Sequence, residues 1–289
     1  MQSPILNALT IDVEEWYHSN ALNLPTVAWN RFEDRVYANT MNMLDILAKF
    51  NVKATFFVLG CIAEKYPKLL QTIADAGHEI GSHSGWHRML GTFTEEQFRE
   101  DLRFSKYTIE DATGCPVRLF RAPSWSISSK TLRFLEVLEE EGFVGDSSIQ
   151  PFATPLSGYR GAPCMPFRPV IGGRRLSLVE IPSTVLDLGS LRIPFSGGFY
   201  MRVLPYPFIA NALRHVNRKR SGMVYVHPWE LEPFRWSMDS SPLIRWAHLV
   251  NIRSTRHKLE KLLTQFDFVP MGEIVRHGTF PERELLDAE

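Results

Sequence analysis

The sequence predicts an α/β fold built around a mainly parallel sheet. Apolar runs at 7–13, 52–59 and 223–226 have the β-branched and aromatic composition of buried strands. Between the first two runs, apolar positions spaced by three and four residues predict an amphipathic helix, and these are Val36, Thr40, Met43, Leu44 and Leu47. Strands that alternate with helices form parallel sheets, because each connecting helix packs back onto the sheet.

The alternation continues along the chain. The clearest further helix is 94–110, since Thr94 and Gln97 have the spacing of a capping box. The other predicted elements are a helix at 66–76, a short strand at 77–81, a helix at 129–140 followed by a strand at 143–144, and a closing helix and strand at 256–263 and 266–268. The segment 151–205 is rich in Pro, Gly and Arg, and is predicted to be an irregular, loop-rich rim insertion.

Composition limits the kinds of partner that the protein can have. The 289 residues, 44% of them hydrophobic, are enough for one large domain spanning 1–289. Thirty-two basic and 32 acidic residues cancel, so no global field favours nucleic acid or an anionic membrane. No leader-like segment or membrane-spanning apolar run is apparent, so no transmembrane segment and a cytoplasmic location are expected.

Two histidines, His83 and His87, follow a predicted strand end. Imidazoles four residues apart on one helical turn can converge on a single cation. A pair of surface or core histidines is the alternative, and an isolated pattern of this kind more often has that explanation.

Asp12 and Glu14 stand at the carboxyl end of the first predicted strand. Strand alternation places both on the same side, so one could bind a metal while the other takes a proton. Solvated strand-end acids are the alternative. Combined with the histidine pair, such carboxylates suit a divalent cation with open coordination positions.

Two further strand ends carry polar residues. His227 follows the strand at 223–226, and Arg121 follows another apolar stretch, where its guanidinium could hold a carboxylate. Taken singly, a core histidine and a surface ion pair would explain them. All these residues fall where predicted strands end, which is the rim on which α/β barrels assemble active sites.

With these motifs in order, the sequence resembles the NodB-homology polysaccharide deacetylases, carbohydrate esterase family 4. The matching segments cover most of the chain and are TIDVE, VKATFFVLG, AGHEIGSHSGWH, FRAPSWSI, GFVGDSSI and VYVHPWE. The C-terminal extension, 230–289, looks like the subgroup associated with bacterial exopolysaccharide and surface-glycan gene clusters. The resemblance implies a distorted (β/α) barrel with fewer than eight strands.

The resemblance also implies roles for six residues. They are Asp12 as general base, His83 and His87 as metal ligands, Arg121 as the residue that orients the base, His227 as general acid, and Asp146 as the acid that supports His227. One position departs from the family pattern. Many members have a second aspartate after the base, but this chain has Val13, so Glu14 is the candidate third ligand. This ligand set favours Zn²⁺, with Co²⁺, Ni²⁺ or Fe²⁺ as alternatives.

The implied activity is metal-assisted hydrolysis of the N-acetyl group of an amino sugar. The substrate would be an oligosaccharide or polysaccharide, or a lipid-linked or nucleotide-linked precursor. Two alternatives stay open: a deacylase of another acyl sugar or small-molecule amide, and a non-catalytic carbohydrate-binding relative.

Aromatic and basic residues are candidates for substrate binding. Trp16, Trp125 and Trp229 flank the motifs and could stack on sugar rings, although core packing is an equally good explanation for at least half of such residues. Arg192 and Arg202, in the predicted rim, could hold an acidic group of the substrate. Solvated or locally paired arginines are the alternative.

Overall fold

The computed structural model describes residues 5–232 and 240–286. Its strands are β1 (Asn7–Val13), β2 (Thr55–Val58), β3 (Glu79–Ser82), β4 (Leu119–Phe120), β5 (Gly145–Asp146), β6 (Arg168–Ile171), β7 (Arg174–Arg175), β8 (Val179–Glu180), β9 (Val185–Asp187), β10 (Arg192–Pro194), β11 (Met223–Val226), β12 (Phe268–Val269) and β13 (Glu282–Leu285). Its helices are α1 (Val36–Lys49), α2 (Gly60–Lys65), α3 (Pro67–Asp75), α4 (Glu95–Thr113), α5 (Arg133–Glu140), α6 (Gly198–Val203), α7 (Tyr206–Val216), α8 (Pro242–Leu249), α9 (Thr255–Gln265) and α10 (Met271–His277).

A parallel sheet forms the centre of the fold. Its strands follow the order β11-β1-β2-β3-β4-β5-β8, and β12 also pairs with β1. Every pairing in this sheet is parallel. Helices connect and cover the strands, so the predicted α/β class, the parallel sheet and the distorted (β/α) barrel are confirmed. The sheet has eight strands, so the expectation of fewer than eight is wrong. All seven residues of β1 are buried, as expected for a strand covered on both faces.

Several predicted elements have the expected bounds. Strands β1 and β11 span 7–13 and 223–226, as predicted. Thr94 begins α4 with the predicted capping box, because its side chain accepts from the Gln97 N–H and the Gln97 side chain accepts from the Thr94 N–H. The second strand is shorter than predicted, at Thr55–Val58.

The segment 151–205 contains more regular structure than the predicted loop-rich rim. Strand β8 extends the main sheet beside β5. Strands β9 and β10 form a hairpin, and β6 pairs with β7 and with β13 from the C-terminal extension. The strands are two to four residues long, so their periodicity is too short to identify from sequence.

Helix α6 is a further element that the sequence did not predict. It has six residues, which is too short for a helix to be stable alone. The ammonium of Lys258, in α9, donates to the carbonyls of Met201, Arg202 and Leu204 at distances of 2.8–2.9 Å. A distant side chain therefore satisfies the C-terminal carbonyls of α6.

Among the described residues, no helix is long and apolar enough to cross a bilayer.

Candidate active site

The predicted catalytic residues other than Asp146 meet at the carboxyl-terminal edge of the sheet. Glu14 follows β1, His83 follows β3, Arg121 follows β4, and His227 follows β11. Parallel strands bring their carboxyl ends to one edge, where α/β proteins bind ligands. A cleft of about 280 Å³ opens there, and its lining includes Asp12.

Three of these side chains form a possible site for a divalent cation. One ligand atom each from Glu14, His83 and His87 lies within 4.8 Å of the other two, and all three residues are buried. The Glu14 Oε2 atom is 2.7 Å from Nε2 of His87 and 3.9 Å from Nε2 of His83. It is a buried oxygen without a hydrogen bond of ordinary geometry among the described residues. Such an oxygen facing two imidazoles suits a cation.

The two histidines approach each other through an irregular loop, and not on the helical turn expected from their spacing. Residues 83–89 contain no helix, and Ser84 and His87 have φ values of 72° and 53°. These left-handed conformations are uncommon for residues that carry a side chain, and they often occur at functional sites. The loop, by reversing direction, brings the His87 ring within 5.2 Å of the His83 ring.

Neighbouring groups determine the protonation state of these candidate ligands. Nδ1 of His83 lies 2.8 Å from the Arg121 carbonyl oxygen, so its N–H is used there and Nε2 keeps its lone pair. Nδ1 of His87 lies 3.2 Å from the Asn20 amide. Burial lowers the pKa of His83 to about 4. Burial alone would raise the pKa of Glu14, but three neighbouring imidazoles, that of His87 foremost, hold it below its ordinary value. A neutral imidazole and an ionised carboxylate are the ligand states a metal needs.

Asp12 lies beside Glu14, His83 and His87, but its own carboxylate contacts other residues. Its Oδ1 atom accepts from Nη1 of Arg121 at 2.7 Å, and its Oδ2 atom lies 3.9 Å from Nε2 of His227. Arg121 is fully buried, and its guanidinium lies 4.4 Å from the ring centre of Phe57 and 4.5 Å from that of Trp125. The base predicted from the sequence is thus held by the arginine predicted to orient it.

His227 is held by a carboxylate that the sequence did not suggest. Its Nδ1 atom is 2.8 Å from Oε2 of Glu230, which also accepts from the His227 backbone N–H. Glu230 pairs in turn with the buried guanidinium of Arg202. Burial would lower the pKa of His227, but Glu230 and two further acids raise it to about 9. Burial would raise the pKa of Glu230, but Arg202 and His227 lower it to about 2. The imidazole is therefore cationic at neutral pH.

The predicted supporting acid, Asp146, occupies another place. It is fully buried and accepts a hydrogen bond from Ser148. Its other oxygen, like Oε2 of Glu180, has no hydrogen-bond donor among the described residues. Burial raises the pKa of Asp146 to about 6 and that of Glu180 well above its ordinary value, so the pair shares a proton. Glu230, and not Asp146, contacts His227. The spacing His227-x-x-Glu230, three residues apart after a strand, is the signal that could have identified it.

The predicted substrate-binding residues divide into two groups. Trp125, Trp229 and Arg202 line the cleft, although Arg202 is already paired with Glu230. Trp16 is buried in a cluster with Tyr17 and Trp229, outside the cleft lining.

Arg192 also lies outside the cleft. Its Nη1 atom donates to the carbonyls of Pro151, Arg160 and Ala162 at 2.7–3.0 Å, so it ties loops together. The prediction that Arg192 faces the cleft is wrong, because loop carbonyls satisfy its guanidinium, whereas Arg202 does line the cleft.

Comparison with known proteins agrees with this geometry. Residues 24–143 match the family model described as "Polysaccharide deacetylase", and residues 147–276 match one described as "Domain of unknown function (DUF3473)". The peptidoglycan-N-acetylglucosamine deacetylase of Bacillus cereus is 35% identical over 95 residues, which are 33% of this chain and 34% of that protein. The peptidoglycan deacetylase of Helicobacter pylori is 30% identical over 152 residues, which are 49% of this chain and 51% of that protein. The matched region therefore spans between about a third and a half of these relatives' length.

Two crystal structures share the fold over nearly the whole chain. A Mycobacterium smegmatis protein provisionally named a polysaccharide deacetylase has a TM-score of 0.64 at 22% identity, covering 96% of this chain and 91% of its own. A pseudoenzyme of carbohydrate esterase family 4 from Bacillus anthracis has a TM-score of 0.53 at 18% identity, covering 98% of this chain and 70% of its own. Residues 24–143 are thus similar to polysaccharide deacetylases, and nearly the whole chain shares the fold of the Mycobacterium smegmatis structure.

Proposed function

We propose that this protein is a metal-dependent deacetylase that hydrolyses the N-acetyl group of amino-sugar residues in a bacterial polysaccharide or its precursor. The observation that carries the proposal is the arrangement of two functional groups around one cleft. A trio suited to a divalent cation, Glu14 with His83 and His87, lies beside the pair formed by Asp12 and His227. Hydrolysis of an amide needs these parts: a polarising centre, a base for water and an acid for the leaving amine.

Asp12 is suited to accept a proton at Oδ2. Its Oδ1 atom is occupied by Arg121 at 2.7 Å, so Oδ2 remains on the side of His227. His227 is suited to donate from Nε2, because Glu230 holds Nδ1 at 2.8 Å and keeps the ring cationic. The two atoms lie 3.9 Å apart, so base and acid are neighbours at the cleft. Loss of either group is expected to cost about 10² to 10⁴ in rate.

Glu14, His83 and His87 would hold the cation. When bound there, it would polarise the acetyl carbonyl and activate water. Zn²⁺ is the metal we propose, since two imidazoles and one carboxylate leave open positions as catalytic zinc sites do. Two backbone N–H groups after Arg121 have other partners: Ala122 donates to Ser148 Oγ and Trp125 to the Ala122 carbonyl. They are therefore not free to bind an oxyanion.

The substrate that we propose differs from those named for the curated relatives. The curated relatives are named as deacetylases of peptidoglycan, but this chain also carries the segment 147–276 that matches a separate family model. We propose a surface or extracellular polysaccharide, or its precursor, as the substrate. The presence of base, acid, arginine and all three candidate ligands in one cleft argues against a purely carbohydrate-binding protein, which would not need them.

Acetate release is the direct test. The purified protein, loaded with Zn²⁺ and separately stripped with a chelator, is incubated with acetylated chito-oligosaccharides, peptidoglycan fragments and acetylated exopolysaccharide. We expect acetate from at least one acetylated amino-sugar polymer, loss of that activity on stripping and its return with Zn²⁺. Acetate release that is unchanged after verified metal removal would contradict the metal dependence. Its absence from every substrate with loaded protein would contradict the proposed activity.

A further inference from the structure

A second cavity lies behind the wall that carries the candidate active site. It has a volume of about 480 Å³, which is within the range of small-molecule sites. The wall has two faces because neighbouring residues point opposite ways. Glu14 and His87 line the active-site cleft, while Glu15 and Trp86 line the second cavity. The rings of His18 and His87 stack across the wall with centres 6.5 Å apart.

Five of the fourteen residues that line the cavity are aromatic: Tyr17, Trp29, Phe32, Tyr66 and Trp86. Tyr17 stacks on Phe32 with ring centres 5.2 Å apart, and Trp29 stacks on Trp86 at 6.4 Å. Trp86 is 40% exposed and rests on Phe104 with an angle of 6° between the rings. These contacts hold the rings in place before any ligand arrives. Electron-rich ring faces attract cations and also stack on sugar rings.

The charged residues of the cavity are mostly acidic. They are Glu15, Asp34, Glu64 and Lys65. Asp34 is neutralised, because it pairs with Lys65 and accepts from the hydroxyl groups of Tyr17 and Tyr66. Oε1 of Glu15 accepts from two backbone N–H groups at the start of α1, so this carboxylate is already engaged. Glu64 is the acid of the cavity that has no ion-pair partner within 5–232 and 240–286.

We propose that this cavity binds the protonated amine of an amino-sugar residue that has already been deacetylated. Aromatic faces with an unpaired carboxylate at the rim are the combination that recognises an organic ammonium group. An N-acetylated residue is neutral and lacks this attraction. The proposal rests on the proposed function, because deacetylation produces this amine. It makes the protein a binder of partly deacetylated polymer through a site separate from the catalytic cleft.

Binding of glucosamine to the zinc-loaded chain of 289 residues tests the proposal. Titrations followed by tryptophan fluorescence compare glucosamine with N-acetylglucosamine at low and high salt. We expect glucosamine to bind at least about fivefold more tightly at low salt, with the difference shrinking as salt rises. Equal affinity for the two sugars, or no glucosamine binding, would overturn the proposal.

Variants locate the binding site. We expect Glu64→Gln and Trp86→Ala each to weaken glucosamine binding about fivefold, with Trp86→Phe retaining most of it. The matched control Glu100→Gln removes an exposed acid outside the cavity and should have no effect. Glucosamine binding that is unchanged in both Glu64→Gln and Trp86→Ala would place it elsewhere and overturn the proposal. Acetate release is measured separately, so failure of the deacetylase assay and failure of this binding site are distinguishable.

Discussion

The two sides of the candidate site are built in different ways. On the side of the cation trio, Glu14 and His83 directly follow strands of the sheet, and His87 comes four residues later. On the side of His227, the contacts run from Glu230 to Arg202 in α6, whose end is held by Lys258 of α9. The first side depends on short motifs, and the second on long-range packing. Substitutions on the first side should therefore remove function outright, whereas those on the second should weaken it in steps.

The largest effect is expected from His83→Ala on the trio side. Loss of one of three ligands should abolish cation binding and reduce acetate release by about 10³-fold or more, because the polarising centre is lost. Metal content by elemental analysis and acetate release are measured on the same sample. A variant that keeps one equivalent of metal would contradict the ligand assignment.

Asp12→Asn separates the base from the ligands. We expect acetate release to fall about 10²- to 10⁴-fold while metal content stays that of the parent, because Asp12 contacts Arg121 and not the trio. Elemental analysis beside kinetics decides it. If the variant lost its metal and regained activity when excess metal was added, Asp12 would be a ligand.

Glu230→Gln probes the long-range side. Removal of the charge that holds His227 should lower kcat about 10- to 100-fold with little change in KM, and the alkaline limb of the pH profile should move to lower pH as the His227 pKa falls. Asp146→Asn is the matched control, since Asp146 makes no contact with His227 among the described residues. A larger fall in kcat in Asp146→Asn than in Glu230→Gln would show that Asp146, as the family resemblance implies, is the acid that supports His227.

Arg192→Met tests whether the arginines outside the cleft bind substrate. It removes hydrogen bonds to three carbonyls, so the free energy of unfolding should fall by about 1–3 kcal/mol. KM should be unchanged for neutral and acidic substrates alike. Urea unfolding and steady-state kinetics are the measurements, and a KM increase confined to acidic substrates would show that Arg192 reaches the cleft.

The smallest effect concerns the buried pair Asp146 and Glu180. Burial raises the pKa of both carboxyls, so the folded state holds protons that the unfolded state has released above about pH 4. The pair's contribution to stability is present below that pH and is lost as pH rises through about 6. In Glu180→Gln, the free energy of unfolding should fall less steeply with rising pH than in the parent, and the two slopes should differ by less than about 1.4 kcal/mol per pH unit. Urea midpoints for parent and variant at pH 4.5 and pH 7 test it, and identical pH dependence would contradict the shared proton.

Sequence reasoning predicted the parts of the fold and site that are local in the chain. The bounds of β1 and β11 and the capping box of α4 follow from periodicity and spacing, and strand ends indicate that the acids and histidines meet at one edge. These features are accessible because alternation and parallel pairing carry each strand-end residue to one edge of the sheet. The choice of Glu14 as the third ligand came from the family resemblance.

Only the tertiary structure decided which side chains support those residues. Glu230, and not Asp146, is the partner of His227. Arg192 donates hydrogen bonds to loop carbonyls, whereas Arg202 forms an ion pair with Glu230. The helix that carries Arg202 is too short to be stable alone, and Lys258, more than fifty residues later, holds its end. Burial and pairing between distant segments set these contacts, and neither leaves a periodic pattern in the sequence. A strand end indicates where the catalytic residues lie, but only tertiary packing determines which charged side chain contacts each of them.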